Sequence, residues 1–135
     1  MISADLIKIA ADTRNYGIQR KSNYITTCKN KICGDEITVE IEVSNSIVKR
    51  MLYETESCIF CQGSASLLSK LIKKTNIEKL SLDINKIIMS GKKKNIILKN
   101  KYRYFKILFQ LKYKERFNCV MLPFNALLKA VNSSV

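Results

Sequence analysis

The residues with most chemistry to offer in this 135-residue chain are its five cysteines, Cys28, Cys33, Cys58, Cys61 and Cys119. The chain has no His and no Trp, which excludes His-based triads, His-ligated zinc proteases and c-type haem attachment. An odd number of thiols in a reducing compartment reads as reduced thiols, metal ligands or reactive groups rather than as a disulfide framework. Cys58 and Cys61 form the one CxxC, Cys28 and Cys33 flank a Lys/Asn turn, and Cys119 stands alone. A zinc ribbon or finger would supply two close-spaced ligand pairs, so spacing alone argues only weakly for zinc. For Cys28 and Cys61 the plainer role, a small buried apolar side chain, is preferred.

The elements around these thiols decide whether they can meet. A helix is expected from Ser3 to about Arg20, with Ser3 as cap, Asp5 in the first turn, and Leu6, Ile9, Ala10 and Thr13 at helical spacing. Ile37, Val39, Ile41 and Val43 alternate with Glu36, Thr38, Glu40 and Glu42, the pattern of a half-buried strand. Ser44 to Ser46 make a turn, Ile47 to Thr55 returns antiparallel, and Tyr24 to Cys28 adds a third strand. Beyond Cys58 the period becomes helical, with Ala65, Leu68, Leu71 and Ile72 on one face and Ser69, Lys70, Lys73 and Lys74 on the other. A second helix covers Ile77 to Met89; Ile96 to Leu111 is read as helix, Arg116 to Asn118 as a connection, and Phe124 to Val131 as a last short helix entered near Pro123. The fold class is therefore α+β: a small three-stranded antiparallel sheet packed against four to five helices in a single domain spanning 1–135. Cys33 falls just before a strand, Cys58 between a strand and a helix, and Cys119 just before a helix. Boundaries of this kind can converge at one end of a domain, and helix N-termini favour the thiolate that binds metal or attacks sulfur, with Cys58 and Cys119 as the candidates.

Charge gives a second line of argument. Lys and Arg number 24 against 11 Asp and Glu, and the whole excess of +13 lies beyond residue 60. Nine basic residues and no acid fall between Lys92 and Lys114. Such a stretch fits a polyanion, and Tyr102, Tyr104 and Phe105 within it could stack bases, so a basic nucleic-acid-binding module is one reading. The Lys, Ile and Asn content of an AT-rich gene accounts for the same composition. No signal-like segment is seen at the start, and no apolar run approaches the roughly 18 residues of a membrane span, so a soluble, cytoplasmic protein is expected.

Three segments together resemble a known family. Cys33-Gly34-Asp35 precedes an alternating strand; Cys58 opens a helix that runs Gln62-Gly63-Ser64-Ala65-Ser66-Leu67-Leu68; and Cys119-Val120-Met121-Leu122-Pro123-Phe124-Asn125-Ala126-Leu127 leads the last helix. This set resembles the U-type iron–sulfur cluster assembly scaffolds, IscU, SufU and the NifU N-terminal domain, from about Leu6 to the C-terminus. The resemblance implies that Cys33, Cys58 and Cys119 are thiolate ligands and Asp35 the carboxylate that completes the site while keeping it labile. Soft thiolates suit Fe–S or zinc, and one hard carboxylate makes a weaker fourth ligand. It also implies a cysteine desulfurase that delivers persulfide to a scaffold cysteine, an electron donor, apoproteins that receive a [2Fe–2S] cluster, and no membrane or nucleic-acid partner; the oligomeric state would be monomer or weak oligomer. Such a protein is a scaffold or carrier rather than an enzyme.

The chain departs from the IscU pattern at Asn118, where a His would precede the third cysteine, and at Tyr113 to Phe117, which lacks the Leu-Pro-Pro-Val-Lys chaperone segment. The 61-position interval between Cys58 and Cys119, and Arg116, are closer to SufU. That branch implies the alternative: a zinc-binding sulfur acceptor that activates a desulfurase. Cys61 replaces a small or apolar residue of the family and is either a spare thiol relaying persulfide or a tolerated core substitution.

Overall fold

A computed structural model describes residues 3–32, 34–93 and 95–132. Helix α1 (Ala4–Ala11) leads into three strands, β1 (Tyr24–Lys29), β2 (Glu36–Ser44) and β3 (Ile47–Glu56). Then come α2 (Ile59–Leu71), α3 (Ile77–Lys92), two 3₁₀ segments (Asn100–Ile107 and Leu111–Arg116) and α4 (Phe117–Asn132). The strands pair antiparallel in the order β1-β2-β3, as the alternating pattern requires. Ile37, Val39 and Ile41 of β2 are fully buried in a core shared with Leu68 of α2, Ile84 of α3 and Phe124 of α4. The expected class, a three-stranded antiparallel sheet with helices in one domain, is what the chain forms. Among the described residues no helix is long and apolar enough to cross a membrane.

Several local expectations are corrected. Helix α1 stops at Ala11 instead of reaching Arg20. Ser3 Oγ accepts the Leu6 N–H and starts it as expected, but Asp12 turns its carboxylate onto the Arg14 N–H. The backbone from Gln19 to Ser22 then spends its four N–H groups on one acceptor, the Glu40 carboxylate, at 2.7–3.0 Å. Glu40, expected on the solvated face of β2, is therefore buried, because the Gln19–Ser22 segment covers that face.

On the expected polar face after Cys58, Lys73 and Lys74 are exposed and Lys70 half-exposed, but Ser69 is not: Ser64, Ser66 and Ser69 are all buried. Their hydroxyls donate to the carbonyls of Val120, Asp12 and Ser66 respectively, so each is satisfied without water. In the region read as helix from Ile96 to Leu111, residues 96–99 are not helical, 100–107 are 3₁₀, and 108–110 break the coil before the second 3₁₀ segment starts at Leu111. Three residues per turn place Tyr102, Phe105 and Leu108 on one buried line, while Tyr104 and Leu111 are 55% and 82% exposed.

Finally, α4 begins at Phe117, so the expected connection Arg116 to Asn118 is largely its first turn, and Pro123 lies inside the helix. The proline lacks only the N–H that would have bonded to the Cys119 carbonyl four residues back. Cys119 accordingly sits in the first turn of α4, not ahead of it.

Candidate metal centre

The loop between β1 and β2 is closed by its own backbone: Gly34 N–H donates to the Asn30 carbonyl and Asn30 N–H to the Asp35 carbonyl, both at 2.8 Å. Gly34 has φ +77°, a conformation that a side chain would strain, so glycine is needed for this turn. The turn delivers Asp35 to the start of α2. There Cys58 is the helix N-cap, with extended backbone and no capping bond from its own side chain. The cap comes from Asp35, whose Oδ1 accepts the Cys58 N–H at 3.3 Å and whose Oδ2 accepts the Cys58 thiol at 3.4 Å. A carboxylate at a helix N-terminus also faces the positive end of the helix dipole.

Helix α4 supplies the third group. It packs on α2, and the 2.6 Å bond from Ser64 Oγ to the Val120 carbonyl fixes the two helices beside Cys119. One carboxylate oxygen of Asp35 and the sulfurs of Cys58 and Cys119 all lie within 4.8 Å of one another. Asp35 is 7% and Cys119 3% exposed, with Cys58 half-buried at the opening. Ligands about 2.0–2.3 Å from a tetrahedral zinc stand roughly 3.5 Å apart, so the three groups can close on an ion with small side-chain movements. Two soft thiols and one hard oxygen fit zinc or iron bound to sulfide. Of the four expected ligands the structure thus brings together Asp35, Cys58 and Cys119; Cys33 lies outside the described residues.

The other two cysteines stay out of this group. Cys28 on β1 is half-buried; burial pushes its thiol up and Lys129 partly opposes the shift. Cys61 is fully buried one turn into α2, and burial pushes its thiol up to about 12, while Ser57 and Thr55 partly offset the rise. Cys61 therefore holds its proton near neutrality.

A groove of about 1480 Å³ is lined in part by residues 30–32 of the β1–β2 loop and by Asn118, the chain neighbour of Cys119. Lys29, Lys31, Lys92, Lys106 and Lys114 line it, and none of its described lining residues is acidic. Lys29 and Lys31 come from the electroneutral first part of the chain, so net charge by segment did not point to them; the Lys/Asn turn between Cys28 and Cys33 was the available signal. The stacking set of the nucleic-acid reading does not survive folding, because Tyr102 and Phe105 are core residues and only Tyr104 is exposed.

Comparison with known proteins follows the same direction. Residues 3–133 match the family described as NifU-like N terminal domain. The iron–sulfur cluster assembly scaffold protein IscU of Thermotoga maritima is 26% identical over 139 aligned positions, covering 97% of this chain and 92% of that one. The zinc-dependent sulfurtransferase SufU of Bacillus subtilis is 33% identical over 82 positions, 58% of this chain and 54% of its own. Among solved structures, the N-terminal part of a NifU-like protein from Brucella abortus superposes with a TM-score of 0.83 at 17% identity, covering 98% of this chain and 95% of that chain. A SufU scaffold from Fervidobacterium islandicum gives 0.83 at 18% identity, covering 96% of each.

Proposed function

Because the chain belongs to the NifU-like N-terminal domain family of iron–sulfur cluster assembly scaffolds, we propose that it takes sulfur from a cysteine desulfurase, assembles a labile [2Fe–2S] cluster as cargo, and passes it to apoproteins. The observation that carries this reading is the meeting of Asp35, Cys58 and Cys119 within 4.8 Å. Cys33, two residues before Asp35 on the same loop, is the third thiolate in the proposal. Cys58 at the opening meets incoming sulfur, Cys119 anchors the cargo from within, and Asp35 is the ligand that yields most readily because a hard oxygen competes poorly with sulfide for iron. An electron donor supplies the reduction that persulfide sulfur needs to become sulfide. The reading has the protein working in the cytoplasm, where thiols stay reduced.

Anaerobic incubation with ferrous iron, a cysteine desulfurase and cysteine tests it. Visible charge-transfer absorption is expected, lost in Cys33→Ala, Cys58→Ala and Cys119→Ala. A protein that stays colourless while holding zinc tightly overturns the cluster reading.

A second reading is a zinc-containing sulfur acceptor that activates the desulfurase, favoured by the local identity to the zinc-dependent SufU and by Asn118 standing beside Cys119 in a chain with no His. The same four residues would hold the ion, which keeps the thiols deprotonated and shielded until the partner displaces one of them. Zinc in stoichiometric amount after anaerobic purification, with desulfurase turnover stimulated by the protein and unstimulated by its Cys58→Ala or Cys119→Ala variants, is the expected result. Unchanged turnover on adding the protein rules this version out.

A further inference from the structure

The CxxC formed by Cys58 and Cys61 is not absorbed by the ligand set. Cys58 is the N-cap of α2 and Cys61 its third helical residue, the arrangement at a helix N-terminus in which paired cysteines carry out thiol–disulfide exchange. Residues three apart at the start of a helix share a face with Cβ atoms about 5–6 Å apart, a small adjustment from the roughly 3.5–4.5 Å of a disulfide. Cys58 is half-buried, whereas Cys61 is 0% exposed, packed behind it with Thr55 Oγ1 3.8 Å from its sulfur. Cys58 is thus the member of the pair that a sulfur from solvent can reach, and Cys61 the member held inside.

We propose that Cys61 is a resolving thiol for a persulfide carried on Cys58. The proposal rests on the reading of this chain as a sulfur acceptor. Burial keeps the proton on Cys61 in the resting protein, so that proton must leave as Cys61 Sγ attacks Cys58 Sγ; a Cys58–Cys61 disulfide forms, and the bond from Cys58 to the outer sulfur breaks with its electron pair on that sulfur. The outer sulfur leaves as hydrogen sulfide, taking the Cys61 proton. It is reduced by the electrons that Cys61 loses, so the step needs no outside reductant; a dithiol reductant resets the pair. The scaffold would then make its own first sulfide at the place where iron is bound.

The test loads the full chain with inorganic polysulfide under anaerobic conditions, removes the excess, and follows sulfide release together with the mass of the peptide holding both cysteines. Wild type is expected to release sulfide and yield a Cys58–Cys61 disulfide. Cys61→Ala and Cys61→Ser should retain the persulfide on Cys58 and release sulfide at least about tenfold more slowly, the loss expected when a nucleophile is removed. Release from both variants at the wild-type rate, a wild-type Cys58 that keeps its persulfide, or a Cys58 that never takes up sulfur each overturns the proposal. The disulfide is read on wild type itself, so a variant that fails to fold leaves the question decidable. Polysulfide replaces the desulfurase and no metal is needed, so failure here is distinct from failure of cluster or zinc binding.

Discussion

The Cys58 thiol donates to Asp35 Oδ2 at 3.4 Å while the Cys58 N–H donates to Oδ1 of the same carboxylate at 3.3 Å. One side chain thus caps a helix and orients a thiol that has a second sulfur, Cys119, beside it. A bound ion would take over the carboxylate oxygen that now accepts the thiol proton, so metal uptake should release protons and weaken as pH falls.

The lability assigned to Asp35 can be measured by Asp35→Cys. A fourth soft ligand should hold zinc more tightly, slowing its transfer to a chelating dye by about tenfold or more, while cluster hand-over to an apoprotein slows with it. Faster zinc loss than wild type would contradict the role given to the carboxylate.

Glu40 should dominate an acid-sensitive part of the fold. Burial pushes its carboxyl up, but bonds from the N–H groups of Gln19, Ser22, Arg20 and Lys21 outweigh this and leave it below its ordinary 4.5. A depressed carboxyl contributes stability that is present above the unfolded value and lost as pH falls through the folded one. Asp12, held at about 2 by Lys70 and then Arg14, adds to the loss only below its ordinary 3.8. Glu40→Gln should cost about 2 kcal/mol at neutral pH. Urea midpoints should also show a flatter decline than wild type between about pH 5 and 3.

The clamp between α2 and α4 predicts that Ser64→Ala lowers stability by about 1–3 kcal/mol, since the Val120 carbonyl then loses a buried donor. Because that bond lies next to Cys119, zinc affinity should fall more than for Ser81→Ala, whose exposed hydroxyl reaches only Asn132 at 3.5 Å. Equal effects of the two changes in a zinc titration would separate the clamp from the centre.

The lysine-lined groove predicts a salt-dependent encounter with an acidic surface of the desulfurase. Lys92→Glu combined with Lys114→Glu should slow association at low ionic strength, with the difference shrinking as salt is raised. The same double variant should bind ferrous iron or zinc as wild type does. Unchanged association kinetics would assign the lysines to solvation alone.

Much of this protein is written in local pattern. Strand β2 follows from two-residue alternation and α2 from helical spacing after Cys58, because each repeat is satisfied by neighbours a few residues away. The residues Cys33-Gly34-Asp35, Cys58 and Cys119 likewise carry the family resemblance without any knowledge of contacts. What folding alone decided depends on distant segments. Glu40 reads as a solvated strand residue until Gln19–Ser22 comes to cover it, and Ser69 reads as part of the polar face of α2 until Asn15, 54 positions away, comes to donate to its hydroxyl. Tyr102, Phe105 and Leu108 repeat every three residues, which over so short a stretch is hard to distinguish from a helical stripe until the core selects the tighter coil. The sequence supplied the thiols and their order, but the separation of Asp35, Cys58 and Cys119 is set by the loop between β1 and β2 and by two packed helices. Distances between residues tens of positions apart are settled by tertiary packing rather than by spacing along the chain.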